Sequence, residues 1–105
     1  MELEMIKEIK GHAIINRYYR LGLYQVISST YESGHMSVAI HKDLELHYLP
    51  HIYQEFSGGF TVQTTSYGSV GVEELYKIIA GYEYAMEAVE VLNKEFNNNS
   101  NEKEG

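Results

Sequence analysis

The sequence contains no cysteine, no tryptophan and a single proline, Pro50. Without cysteine there is no disulfide framework and no thiol nucleophile, and a reducing compartment is expected. No segment approaches the roughly 20 apolar residues that a membrane-spanning helix needs. The start, Met1-Glu-Leu-Glu-Met-Ile-Lys7, is too acidic and its apolar run too short for a secretory leader. The expectation is a cytoplasmic protein. Basic residues are also scarce: eight Lys and Arg stand against 15 Asp and Glu, a net charge of −7. The deficit is uneven. Residues 1–42 carry five basic and four acidic groups, whereas residues 43–105 carry three and 11. Such a chain repels phosphate, so direct nucleic-acid binding is not expected, and a basic groove on another protein would attract it.

What is present is ordinary in bulk and unusual in detail. A chain of 105 residues with 44% apolar content is expected to build one domain around one core. Ten tyrosines stand out. Each has a large apolar ring with one polar tip, which suits half-buried sites and interfaces.

Periodicity predicts the order of elements. Leu3, Ile6 and Ile9 recur at a spacing of three before Gly11, which predicts a short helix over residues 2–10. Residues 13–19 and 23–28 are β-branched and aromatic and read as strands, as does Met36–Ile40, where Met36, Val38 and Ile40 share one face. Residues 42–56 read as an irregular, partly extended connection, because Pro50 cannot occupy a regular ladder position. The pair Gly58-Gly59 marks a turn, and Phe60–Thr65 follows as a strand.

The strongest pattern begins near Val72 and runs to Phe96. Leu75, Ile78, Ile79, Tyr82, Ala85, Met86, Val89, Leu92 and Phe96 fall at helical spacing, with Ser69 as a candidate N-cap and Glu73 and Glu74 near the positive end of the dipole. Leu75, Ile79, Tyr82, Met86 and Val89 are expected to be buried against Val38, Ile40 and Val62. The predicted architecture is α+β: an antiparallel sheet of four or five strands covered by one long C-terminal helix, with a short N-terminal helix. Residues 1–96 form the domain, and the polar residues 97–105 are expected to be a disordered tail.

Chemical motifs are few. The five histidines, His12, His35, His41, His47 and His51, lack metal-ligand spacing. His35 and His41 are about 20 Å apart along a strand and cannot share an ion. They read as surface histidines, and neither metal nor cofactor is expected. No serine lies in a GxSxG elbow. The segment Gly68-Ser-Val-Gly71 precedes a helix but lacks the Lys-Ser/Thr of a phosphate loop, and Glu73 and Glu74 would repel phosphate. A carboxylate pair, Glu45 and Glu55, has no fixed separation. Catalysis is not expected.

The back of the long helix is more informative. Glu83, Glu87 and Glu90 form an acidic ridge, with Tyr76, Ala80, Tyr84 and Val91 beside it. The plain reading is a solvated face. The functional reading is a partner-binding surface made by Tyr76, Glu83, Tyr84, Glu87, Glu90 and Val91.

The stretch Gln63-Thr-Thr-Ser-Tyr-Gly-Ser-Val-Gly-Val-Glu-Glu-Leu75, leading into Ile78-Ile-Ala-Gly-Tyr-Glu-Tyr-Ala-Met-Glu-Ala-Val-Glu-Val-Leu-Asn93, resembles the close of many small phage and prophage proteins. In these a last strand turns through a glycine into one long helix that backs the sheet. The resemblance covers about a third of the chain. Among such proteins are acidic inhibitors of bacterial defence, notably the anti-CRISPR proteins, some of which imitate the phosphate charge of DNA in a nuclease's basic channel. The resemblance implies a non-enzymatic protein that binds and inhibits a host defence protein. The acidic density here is moderate and half the chain is charge-balanced, a departure from the DNA mimics, so the resemblance implies inhibition without fixing whether DNA mimicry is its means. The alternatives are a homo-oligomeric accessory or structural phage protein and a small ligand-binding domain or enzyme.

Overall fold

Alternating side chains in the first 42 residues build four strands joined by tight turns, in which Ala13, Gly22 and Gly34 in succession take positive φ. In the computed structural model, which describes residues 1–42 and 48–96, the strands are β1 (Leu3–Lys10), β2 (Ile14–Leu21), β3 (Tyr24–Tyr31) and β4 (Met36–Lys42). They pair antiparallel in the order β1-β2-β3-β4. Gly22, at φ +58°, opens the two-residue β2–β3 turn, the position where a hairpin of this length favours glycine.

The helix predicted over residues 2–10 is strand β1. A nine-residue helix is marginal without packing, whereas the strand satisfies its backbone against β2. The spacing of three is not a shared face in the strand: Leu3 lies opposite Leu21 and Ile9 opposite Asn16, on opposite sides of the sheet, with a β-bulge between them. Met5 pairs with Tyr19 but Lys7 pairs with Tyr18, so the register slips by one residue at Ile6. Leu3 and Met5 therefore share a face with Leu21 and Tyr19, while past the bulge Glu8 shares that face and meets Arg17 at 2.6 Å.

A second, two-stranded sheet joins β5 (Ile52–Gln54) to β6 (Phe60–Val62). The strand expected over Phe60–Thr65 ends at Val62. Thr65 instead donates its N–H to the Tyr82 hydroxyl at 2.9 Å. The small sheet flanks β4, where the Val38 N–H donates to the Gln54 side chain at 3.2 Å. Part of the connection expected over 42–56 lies outside the described residues, as does the expected tail 97–105.

The long helix, α1, spans Val72–Phe96, about 37 Å. Its start differs from the expected Ser69 cap. The Gly71 carbonyl accepts from the Leu75 N–H at 2.9 Å, and the Gly71 N–H donates back to the Glu74 carboxylate at 3.4 Å. Glu74 is thus the returning half of a capping box.

The core joins Leu21, Tyr24, Val26 and Val38 of the sheet to Leu49, Ile52, Phe60, Ala85, Ala88, Val89 and Leu92. Ile40 and Val62 are partly buried against it. The expected helical stripe is only partly right. Val89 is buried, but Leu75, Ile79 and Met86 are 45%, 46% and 53% exposed, and Tyr82 is half-buried. The helix instead turns its small residues Ala85 and Ala88 inward, where both are fully buried. Gly81 extends that stripe, because the backbone of Tyr48 crosses directly over its Cα.

Tyrosine hydroxyls staple the layers. Tyr24 donates to the Pro50 carbonyl at 2.7 Å, and the Leu23 N–H donates to the Tyr84 hydroxyl at 2.9 Å. Tyr48 donates to the Glu74 carboxylate at 3.0 Å.

A candidate partner-binding flank on helix α1

The rotation of α1 brings its surface chemistry together. Large apolar residues that would be core at a different helical phase, Leu75, Ile79 and Met86, lie on the outside. Val72 and Tyr76, each 68% exposed, extend this row toward the helix start. Glu83, Glu87 and Glu90 are exposed along its edge. Together Ile79, Tyr82, Glu83, Met86, Glu87 and Glu90 line a shallow concavity of about 480 Å³. Its floor is apolar and one wall is carboxylate.

The residues expected to form a single binding surface divide into two groups. Tyr76, Glu83, Glu87 and Glu90 are outward and accessible. Tyr84 and Val91 pack against the core instead. Tyr84 stacks on Tyr24 with ring centroids 6.3 Å apart, and its hydroxyl is held by Leu23. The expectation that Tyr84 lies off the packed face is therefore corrected. It sits about 140° around the helix from Ile79 at 100° per residue, against the β2–β3 turn. Leu75, Ile79 and Met86 take its place on the exposed flank. Helical spacing alone groups these residues with the buried ones and does not mark them as surface. The inward spacing of Gly81, Ala85 and Ala88 is the signal that would have found them.

No protein-family model, curated protein or solved structure matches this chain.

The other candidate chemistries are dispersed. His12, His35, His41 and His51 are all exposed, and His35 stacks on Tyr31 at 5.9 Å. His47 and Glu45 lie outside the described residues. Among the described residues no three His, Cys, Asp or Glu side chains group as metal ligands. Among the described residues the buried Ser28 hydroxyl has no hydrogen-bond partner, and none of them places a base beside it. Among the described residues no helix is long and apolar enough to cross a membrane. The α1 flank can offer apolar contact area and negative charge side by side.

Proposed function

We propose that this chain is a non-enzymatic interaction protein that holds a basic partner protein along the outward flank of α1. The observation that carries the reading is the row Leu75, Ile79 and Met86, each about half exposed, beside the carboxylates of Glu83, Glu87 and Glu90. A solvated helix face has no need of such a row. The apolar atoms supply contact area, and the carboxylates complement Lys and Arg while repelling phosphate. The resemblance of the C-terminal segment to phage inhibitors makes a bacterial defence protein the partner to test first, in the bacterial cytoplasm. A CRISPR effector nuclease with a basic channel is the leading case, and inhibition is the expected consequence.

The test compares Ile79→Asp with a triple Glu83/Glu87/Glu90→Gln variant against the nuclease that the parent inhibits, once both variants are shown to melt like the parent. Ile79→Asp should weaken binding about tenfold or more, chiefly through faster dissociation. The triple variant should associate more slowly and lose salt dependence. If both bind like the parent, the flank is not the contact.

A second reading has its own observation. Met5, Ile6 and Ile9 are exposed on β1, whose outer edge pairs with no strand among the described residues. A salt-insensitive dimer that dissociates on Ile6→Lys would favour a homo-oligomeric accessory protein instead.

A further inference from the structure

We infer that the occupant of this flank is an amphipathic α-helix of the partner protein, apolar along one seam and basic along one side. The inference rests on the function proposed above and specifies the partner's contacting element.

The spacing identifies a helix. Val72, Leu75, Ile79, Tyr82 and Met86 recur at alternating steps of three and four, the seam along which two helices pack at about +20°. Along that seam the side chains advance about 5.3 Å per step on average. Same-face side chains of a strand advance about 6.7 Å, so an extended peptide falls out of step within three contacts. A partner helix stays in register.

The flanks identify its charge. On one side the seam is closed, because Ile78, Ala85 and Leu92 turn into this chain's own core. The hydroxyl of Tyr82 is also held there by Thr65. The open side carries Glu83 and Glu90, one heptad apart, with Glu87 one turn along from Glu83. A second copy of α1 fits poorly. Paired antiparallel, the open flanks face each other and set carboxylate against carboxylate. Paired parallel, each open flank would have to face the side already occupied by core residues. A helix with Lys or Arg seven residues apart matches the carboxylates and meets neither obstacle.

Three synthetic probe peptides test this by fluorescence anisotropy and circular dichroism. The first has leucines at three-four spacing over three heptads with lysine flanks. The second carries glutamate flanks, and the third is the lysine peptide with a central proline. The lysine peptide should bind saturably and gain helicity. Binding should fall about tenfold or more with Ile79→Asp and about tenfold with the central proline, which breaks the helix. A Glu83→Lys/Glu87→Lys/Glu90→Lys variant should switch its preference to the glutamate peptide. Equal binding of the proline and intact lysine peptides overturns the inference, as does absence of lysine-peptide binding. So does a parent dimer that Ile79→Asp dissociates. If the flank variants lose the nuclease while the peptides show no helical preference, the proposed function stands and the helical occupant falls. If the variants keep the nuclease, the proposed function itself falls.

Discussion

A glycine inside a long helix normally weakens it by about 1 kcal/mol relative to alanine. Gly81 reverses that rule. A Cβ at this position would overlap the carbonyl of Tyr48, and backbone cannot move aside as a side-chain tip can. Gly81→Ala should therefore destabilise the protein by about 1–3 kcal/mol, the usual range for overpacking, despite its better helix propensity. Urea denaturation measures the difference. A gain in stability would mean that the Tyr48–Leu49 segment yields, and that its crossing over α1 is not a fixed contact. Gly22 is constrained differently. It combines a positive φ with the Tyr84 hydroxyl packed against its Cα, so the turn and the helix are fitted to each other there.

At the scale of elements, the rotation of α1 separates residues that look alike in sequence. Leu92 is fully buried and Ile79 is 46% exposed. Leu92→Ala should cost about 2–5 kcal/mol. Ile79→Ala should stay within about 0.5 kcal/mol, as surface changes usually do. Thermal melts of the two variants check the phase of the helix, and similar losses in both would place Ile79 back in the core. The same pair shows what the sequence made legible. The existence and bounds of α1 follow from a long apolar period, and the clean alternation of Met36, Val38 and Ile40 identified β4. Phase did not follow, because the helix has apolar residues on two sides and only packing decides which is covered. Nor did β1 follow, because Leu3, Ile6 and Ile9 match a helical period although Leu3 and Ile9 lie on opposite faces of the strand. Of the candidate site, the acidic ridge and Tyr76 were legible from spacing alone. The apolar row beside the ridge was not, since its residues share a helical period with the buried ones.

At the scale of the whole molecule, the tyrosines tie separate layers into one unit. The sheet holds the segment after β4 through Tyr24 and Pro50 and meets the helix through Leu23 and Tyr84. The same segment grips the helix start through Tyr48 and Glu74. Two of these hydroxyls resist ionisation. Burial, with a smaller contribution from Tyr84, pushes the Tyr24 hydroxyl above its ordinary range. The hydrogen bond to Glu74 does the same for Tyr48, aided by that carboxylate's charge. In both cases the folded state favours the neutral phenol more than the unfolded chain does. Stability from this source is therefore complete below about pH 10, the ordinary tyrosine pKa, and is lost as the pH rises from there through the raised folded values. Urea midpoints measured from neutral to strongly alkaline pH should hold steady and then fall. Tyr24→Phe separates the main contributor. At neutral pH it should cost about 1–3 kcal/mol, because the buried Pro50 carbonyl loses its donor. Above pH 10 the variant should lose less stability than the parent, since it has no phenol to ionise at this site. Parallel decline in the two proteins would mean that Tyr24 ionises as readily in the fold as outside it, and that another group sets the alkaline limit.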